Sequence, residues 1–295
     1  MSGNLLSWLI RAATLVALLF LQRLDGVSAT AGALALIALG IPHGAADHLI
    51  FRSRYPGRLT GLRFLLFYVL LIIIYAALWV WLPWLALLLF LGASVFHFGQ
   101  SYYDPQPRLH GSRPWMLRLC WGAFVLLFPI FYHYGEARPI VESIVGREME
   151  LPPGWSLALP FILIAVNVYL VLTGRDRGGR LSPALRRQLL DLLLLSLLYC
   201  TTPLLQGFAV YFLLWHSVPA LVEQWRYLSR HRLSGGFRDY VWQLVPLSLG
   251  AFVTLGLAYW WFSHRSGLVI DPGMFFILVS LITLPHAFLV DRVYR

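Results

Sequence analysis

The chain has 295 residues, of which 59% are hydrophobic and 12% charged, with a mean hydropathy of +0.71. A soluble domain carries about 25% charged residues, so this balance, with 12 Trp, 14 Tyr and 19 Phe, excludes an ordinary soluble domain and points to an all-α polytopic membrane protein. The net charge of +10 rests on 23 basic residues, all arginine, while two cysteines in apolar surroundings, Cys120 and Cys200, exclude a disulfide framework and a thiolate metal site.

A bilayer core needs about 20 apolar residues in helical form. The first such segment, 5–21, has Arg11 inside its apolar run and no basic cluster before it, so it reads as a span and not a cleaved signal. The second, 28–50, ends in Gly40-Ile41-Pro42-His43-Gly44-Ala45-Ala46-Asp47-His48, polar where a lipid-facing helix is apolar. Segments 62–82 and 84–104 follow, the latter carrying His97, then 114–134 and 155–173. Segment 187–201 is short and stops at Cys200-Thr201-Thr202-Pro203, where proline forces a break. His216 lies on 204–225, no site candidate on 241–262, and His286 on 273–291. The expectation is one transmembrane domain over 1–295: about ten spans in one bundle, with short loops that leave no room for a soluble domain.

The arginines orient it. With ten spans, the loops after spans two, four, six and eight and the C-terminal tail hold seventeen arginines, and the opposite loops hold four (Arg23, Arg138, Arg147 and Arg265). The positive-inside rule makes the first set cytoplasmic, with both termini inside. The same split accounts for the +10 charge through membrane lipids, with no nucleic-acid partner.

His43, His97, His216 and His286 all sit on even-numbered spans, which run in one direction. The first cytoplasmic arginine follows each by nine, eleven, ten and six residues (Arg52, Arg108, Arg226, Arg292). At 1.5 Å per residue the four imidazoles lie roughly 9–17 Å below the inner charged layer. Each has an acidic residue toward the cytoplasm: Asp47, Asp104, Glu223 and Asp291. Ionisable groups within a membrane mark sites or pathways. Four neutral imidazoles in one layer suit a divalent metal, and ligation by nitrogen without thiolate is compatible with iron, copper or zinc. The carboxylates and Gln100 are candidates to orient the ligands or a metal-bound water. His48 is in reserve, because it lies five residues from His43, about 140° around a regular helix. Proline at 42 and 285 would bend each axis beside its histidine, and Gly40, Gly44 and Gly99 would let spans two and four pack closely. Asp191, near Arg186 and Arg187, reads as structural. Tyr102, Tyr103, Tyr211, Trp215 and Trp225 flank the layer, and a flat apolar ligand could be lined by them.

With His43-Gly44-Ala45-Ala46-Asp47-His48, His97-Phe98-Gly99-Gln100, Trp215-His216-Ser217 and Pro285-His286 in this order, the chain resembles the Brp/Blh family of prokaryotic membrane β-carotene 15,15′-dioxygenases. The resemblance covers nearly the whole chain and is most specific in the first motif. It implies cleavage of the central double bond of β-carotene or a related carotenoid with O2 to two retinals, using Fe(II) held by His43, His97 and His216. A retinal-binding rhodopsin would be a candidate acceptor of the product. Many members carry a second histidine four residues after that of Trp-His-Ser; here the position is Ala220, after Pro219. By depth His286 is the natural fourth ligand, with His48 second, and a three-histidine site is the remaining option.

A metal- or proton-coupled transporter would also place His and Asp near mid-membrane, but it favours inverted repeats, which the sequence does not display. A bis-histidine haem protein would need facing pairs at two depths. Di-iron desaturases would need dense histidine boxes that are absent.

Overall fold

The computed structural model describes residues 3–21, 40–103, 113–174, 180–266 and 272–293. Among these, every regular element is helical: α1 (Gly3–Leu21), α2 (Asp47–Arg54), α3 (Thr60–Trp81), α4 (Pro83–Tyr103), α5 (Arg113–Tyr132), α6 (Tyr134–Val145), α7 (Trp155–Thr173), α8 (Pro183–Thr201), α9 (Leu204–Val210), a π-helical segment (Tyr211–Ser217), α10 (Val218–Arg230), α11 (Phe237–Ser266) and α12 (Pro272–Val293).

Among the described residues, six stretches are long and apolar enough to cross a membrane: Thr60–Trp81, Pro83–Tyr102, Trp115–Tyr132, Trp155–Thr173, Leu204–Arg230 and Phe237–Trp261. They coincide with six of the ten expected spans. Leu5–Phe20 and Gly273–Leu289 are shorter apolar helices, and the 187–201 span falls within α8. Most of the second expected span, 28–39, lies outside the described residues. On α3, Leu62, Leu65, Leu66, Leu70, Ile73 and Ile74 are all exposed, while Tyr75 and Trp79 are buried. An apolar face that large is stable only against lipid or a partner surface.

Helix boundaries follow local chemistry. Pro83 opens α4 directly after Leu82 ends α3, the first-turn position where proline's missing N–H costs nothing. Ser182 caps α8 by accepting from Leu185 N–H, with Pro183 next in line. Pro203 separates α8 from α9, at the break the sequence marks. Residues 40–45 are helical, but a turn at Ala46 interrupts them before α2. The single regular helix expected through His43 and His48 is therefore two.

By internal contacts the chain divides into two compact units. The first comprises Met1–Leu36, Ser94–Arg138 and Glu150–Pro219. Its core includes Trp121, Phe124, Phe128, Leu195, Leu198 and Tyr199, all buried. Within it a Cβ on Gly99 would collide with the carbonyl of Arg118, and one on Gly122 with the carbonyl of Val95, so α4 and α5 meet backbone to backbone. Gly99 thus serves the packing of α4 on α5. The second unit comprises Ile37–Ala93, Pro139–Met149 and Ala220–Arg295. Its core has one cluster around Ala46, Ile50, Leu228, Tyr240 and Leu289, and another around Tyr75, Trp79, Ala86 and Val145.

Candidate metal centre

All four histidines singled out in the sequence are buried, none more than 4% exposed. Two of them form a pair within the second unit. His43 lies on the helical turn before Ala46, and His286 follows Pro285 on α12. Their Nε2 atoms face each other at 2.9 Å, with the rings edge to face at 4.4 Å between centroids. Both oxygens of Asp47 lie 2.9 Å from His286 Nδ1. A carboxylate only accepts, so Nδ1 carries the hydrogen and the lone pair of the neutral ring sits on Nε2. The Tyr68 hydroxyl on α3 lies between the same carboxylate, at 3.4 Å, and the Ile282 carbonyl, at 3.2 Å, and shares its one hydrogen between them. Gln224 Nε2 donates to the His43 carbonyl at 3.3 Å and stands 3.4 Å from its Nδ1, while Tyr240 donates to Gln224 Oε1 at 2.9 Å.

The other two form a pair within the first unit. His97 on α4 and His216 in the π-helical segment bring their Nε2 atoms to 3.3 Å, again with near-perpendicular rings. Ser101, one turn beyond His97, places its Oγ 3.1 Å from His216 Nδ1. Phe98 meets His216 edge to face at 4.9 Å, and Phe212 lies 5.2 Å from the same ring. A π turn takes up an extra residue relative to an α-helix and is frequent at functional sites. Here it sets the direction of His216.

The donor set fits a divalent metal. Two imidazole nitrogens at about 2.0–2.1 Å from one ion, at angles between octahedral and tetrahedral, are separated by roughly 2.8–3.4 Å. The separations of 2.9 and 3.3 Å fall in that range. In each pair Nε2 is the atom presented, and a polar group lies at the Nδ1 of His286 and of His216.

The remaining expected participants are placed as follows. Asp47, expected to orient His43 from one turn away, is hydrogen-bonded to His286, because the turn at Ala46 removes it from the i, i+4 register. Gln100 is buried on α4. Glu223 is exposed, and its neighbour Gln224 is the buried side chain beside His43. Asp104 and the side chains of Tyr103 and Asp291 lie outside the described residues. His48 donates from Nδ1 to the Ala45 carbonyl at 2.7 Å and lines a cavity of about 280 Å³ with Leu49, Arg52, Leu233 and Gln243. Asp191 is bound by Arg11 of α1 in a two-point contact of 2.7 and 2.9 Å. Tyr102 donates to Asp191 at 2.7 Å and stacks on Trp121. Trp215 donates to Thr14 at 2.9 Å, Trp225 to the Gly235 carbonyl at 3.3 Å, and Tyr211 is buried among Phe98, Tyr199 and Phe208. Ser101, Gln224, Tyr68 and Tyr240 were not legible as site residues, since none is acidic and none is in helical register with a histidine of its own span except Ser101, four after His97.

Comparison with known proteins bears on the same residues. A family model described as beta-carotene 15,15'-dioxygenase matches residues 34–294, a stretch that includes all four histidines. The chain is 25% identical over 292 residues to a Halobacterium salinarum protein named "Probable beta-carotene 15,15'-dioxygenase Blh", covering 87% of this chain and 82% of the relative. It is 26% identical over 274 residues to a protein named beta-carotene 15,15'-dioxygenase from the uncultured marine bacterium 66A03, covering 89% and 93%. No solved structure matches.

Proposed function

Because the chain belongs to the β-carotene 15,15'-dioxygenase family and is thereby an oxidoreductase, we propose that it cleaves the central double bond of β-carotene, or of a related carotenoid, with O2 to give retinal. The observation that carries this reading is the family match across 34–294, which spans every buried histidine of both pairs. It favours a cleavage enzyme over a metal- or proton-coupled transporter.

In this proposal the iron(II) ligands are His43, His97, His216 and His286, on the strength of their common depth in the sequence and the ligand-like Nε2 spacing within each pair. Iron(II) with neutral imidazoles supplies open positions for O2 chemistry. The protein's part is positional. Asp47 holds the His286 ring in its Nδ1–H form, and Gln224, itself fixed by Tyr240, holds the backbone at His43. Phe98 and Phe212 flank His216 with aromatic surface, which excludes water and suits a polyene. No side chain is assigned as acid, base or nucleophile. The carotenoid reaches the site from the bilayer, in a ten-span chain with both termini cytoplasmic, as the arginine distribution supports.

The test is expression in a bacterial host that accumulates β-carotene, with retinal measured by chromatography. Wild type is expected to bleach the carotene and form retinal, and His43→Ala and His216→Ala to lose at least about 100-fold of that activity, on the order of a lost metal ligand. Wild type that binds iron but leaves carotene intact overturns the substrate; full activity in both variants overturns the site.

A further inference from the structure

Resting on the iron-binding reading above, we propose that Ser101 is a positioning residue that selects the tautomer of His216, making Nε2 its ligand atom. Ser101 Oγ–H donates to the Phe98 carbonyl three residues back, at 3.0 Å, the back-bond typical of serine within a helix. With that proton committed, the oxygen at 3.1 Å from His216 Nδ1 can only accept. The hydrogen therefore resides on Nδ1, and the lone pair of the neutral ring points from Nε2, the atom that faces His97 Nε2 at 3.3 Å.

Two features make Ser101 the element that decides. His216 is 2% exposed, so bulk water does not compete as an acceptor. The ring is held between Phe98 and Phe212 at 4.9 and 5.2 Å, which restricts the rotation that would exchange its nitrogens. Ser101 does for His216 what Asp47 does for His286, but with a neutral oxygen. Its position, one helical turn after His97, lets α4 supply both a ligand and the group that orients a second one.

The experiment uses the full-length protein in detergent, titrated anaerobically with iron(II), and with cobalt(II) as a spectroscopic probe. Ser101→Ala is expected to bind metal about 10–100-fold more weakly and to shift the cobalt(II) visible bands, whereas Ser101→Thr, which can form the same back-bond and accept the same hydrogen, stays within about threefold of wild type. Should Ser101→Ala not fold, Ser101→Cys keeps the volume with a poor acceptor and is expected to show the same loss. Wild-type affinity and spectrum in the Ala or Cys variant, or a Thr variant as weak as Ala, overturns the role of Ser101 while leaving the metal reading intact. Wild type that takes up neither ion overturns both.

Discussion

At Asp47 a carboxylate only 1% exposed receives His286 Nδ1 on both oxygens and the Tyr68 hydroxyl on one. A charge that deeply buried is tolerated only with such partners, and its chemical effect falls on the imidazole it holds. Asp47→Asn keeps the shape and an acceptor oxygen but removes the charge. The variant is expected to fold normally and to hold iron about 10–100-fold less tightly, as for other outer partners of a ligand histidine. Metal content after anaerobic dialysis checks this, and an unchanged iron content would remove Asp47 from the site. Glu223 carries the charge, yet its neighbour Gln224 is the buried residue. Burial depends on helix rotation, and a π-helical segment just upstream shifts that rotation by a residue's worth of turn.

Among elements, α1 and α8 are joined by a buried ion pair. Arg11 gives Asp191 a two-point contact and stands 5.0 Å from the Trp8 ring centroid, and Tyr102 brings α4 to the same carboxylate. Tyr102 is the residue after Ser101, so this junction also fixes the part of α4 that meets His216. Removing one partner leaves an uncompensated charge in an apolar interior. Arg11→Ala or Asp191→Ala alone is expected to cost about 3–5 kcal/mol, and the apolar double replacement Arg11→Met with Asp191→Leu to recover most of it. Thermal unfolding in detergent reads both. A double replacement no more stable than either single one would show that the helices do not depend on the charge pair in this way.

For the whole molecule, the arginine asymmetry predicts sidedness. His231 and Glu148 are both exposed and fall in loops assigned to opposite faces. In a background with Cys120 and Cys200 replaced, Glu148→Cys is expected to react with a membrane-impermeant maleimide in intact spheroplasts. His231→Cys is expected to react only after permeabilisation. Labelling of both from the same side would break the ten-span parity, and the reversed pattern would invert the topology.

Composition alone settled that the chain is helical and apolar enough for a membrane, because twenty-residue apolar runs have few other stable solutions. Short motifs and their depth also singled out His43, His97, His216 and His286, since a polar group buried in such a helix is costly and stands out against leucine. Tertiary structure alone decided the partners. The turn at Ala46 turned Asp47 from His43 to His286, the π segment aimed His216 at His97 and Ser101, and Asp191 found Arg11 from 180 residues away. Periodicity assumes a regular helix and sees one helix at a time. These contacts depend on where helices break and on which faces meet, and both follow from packing.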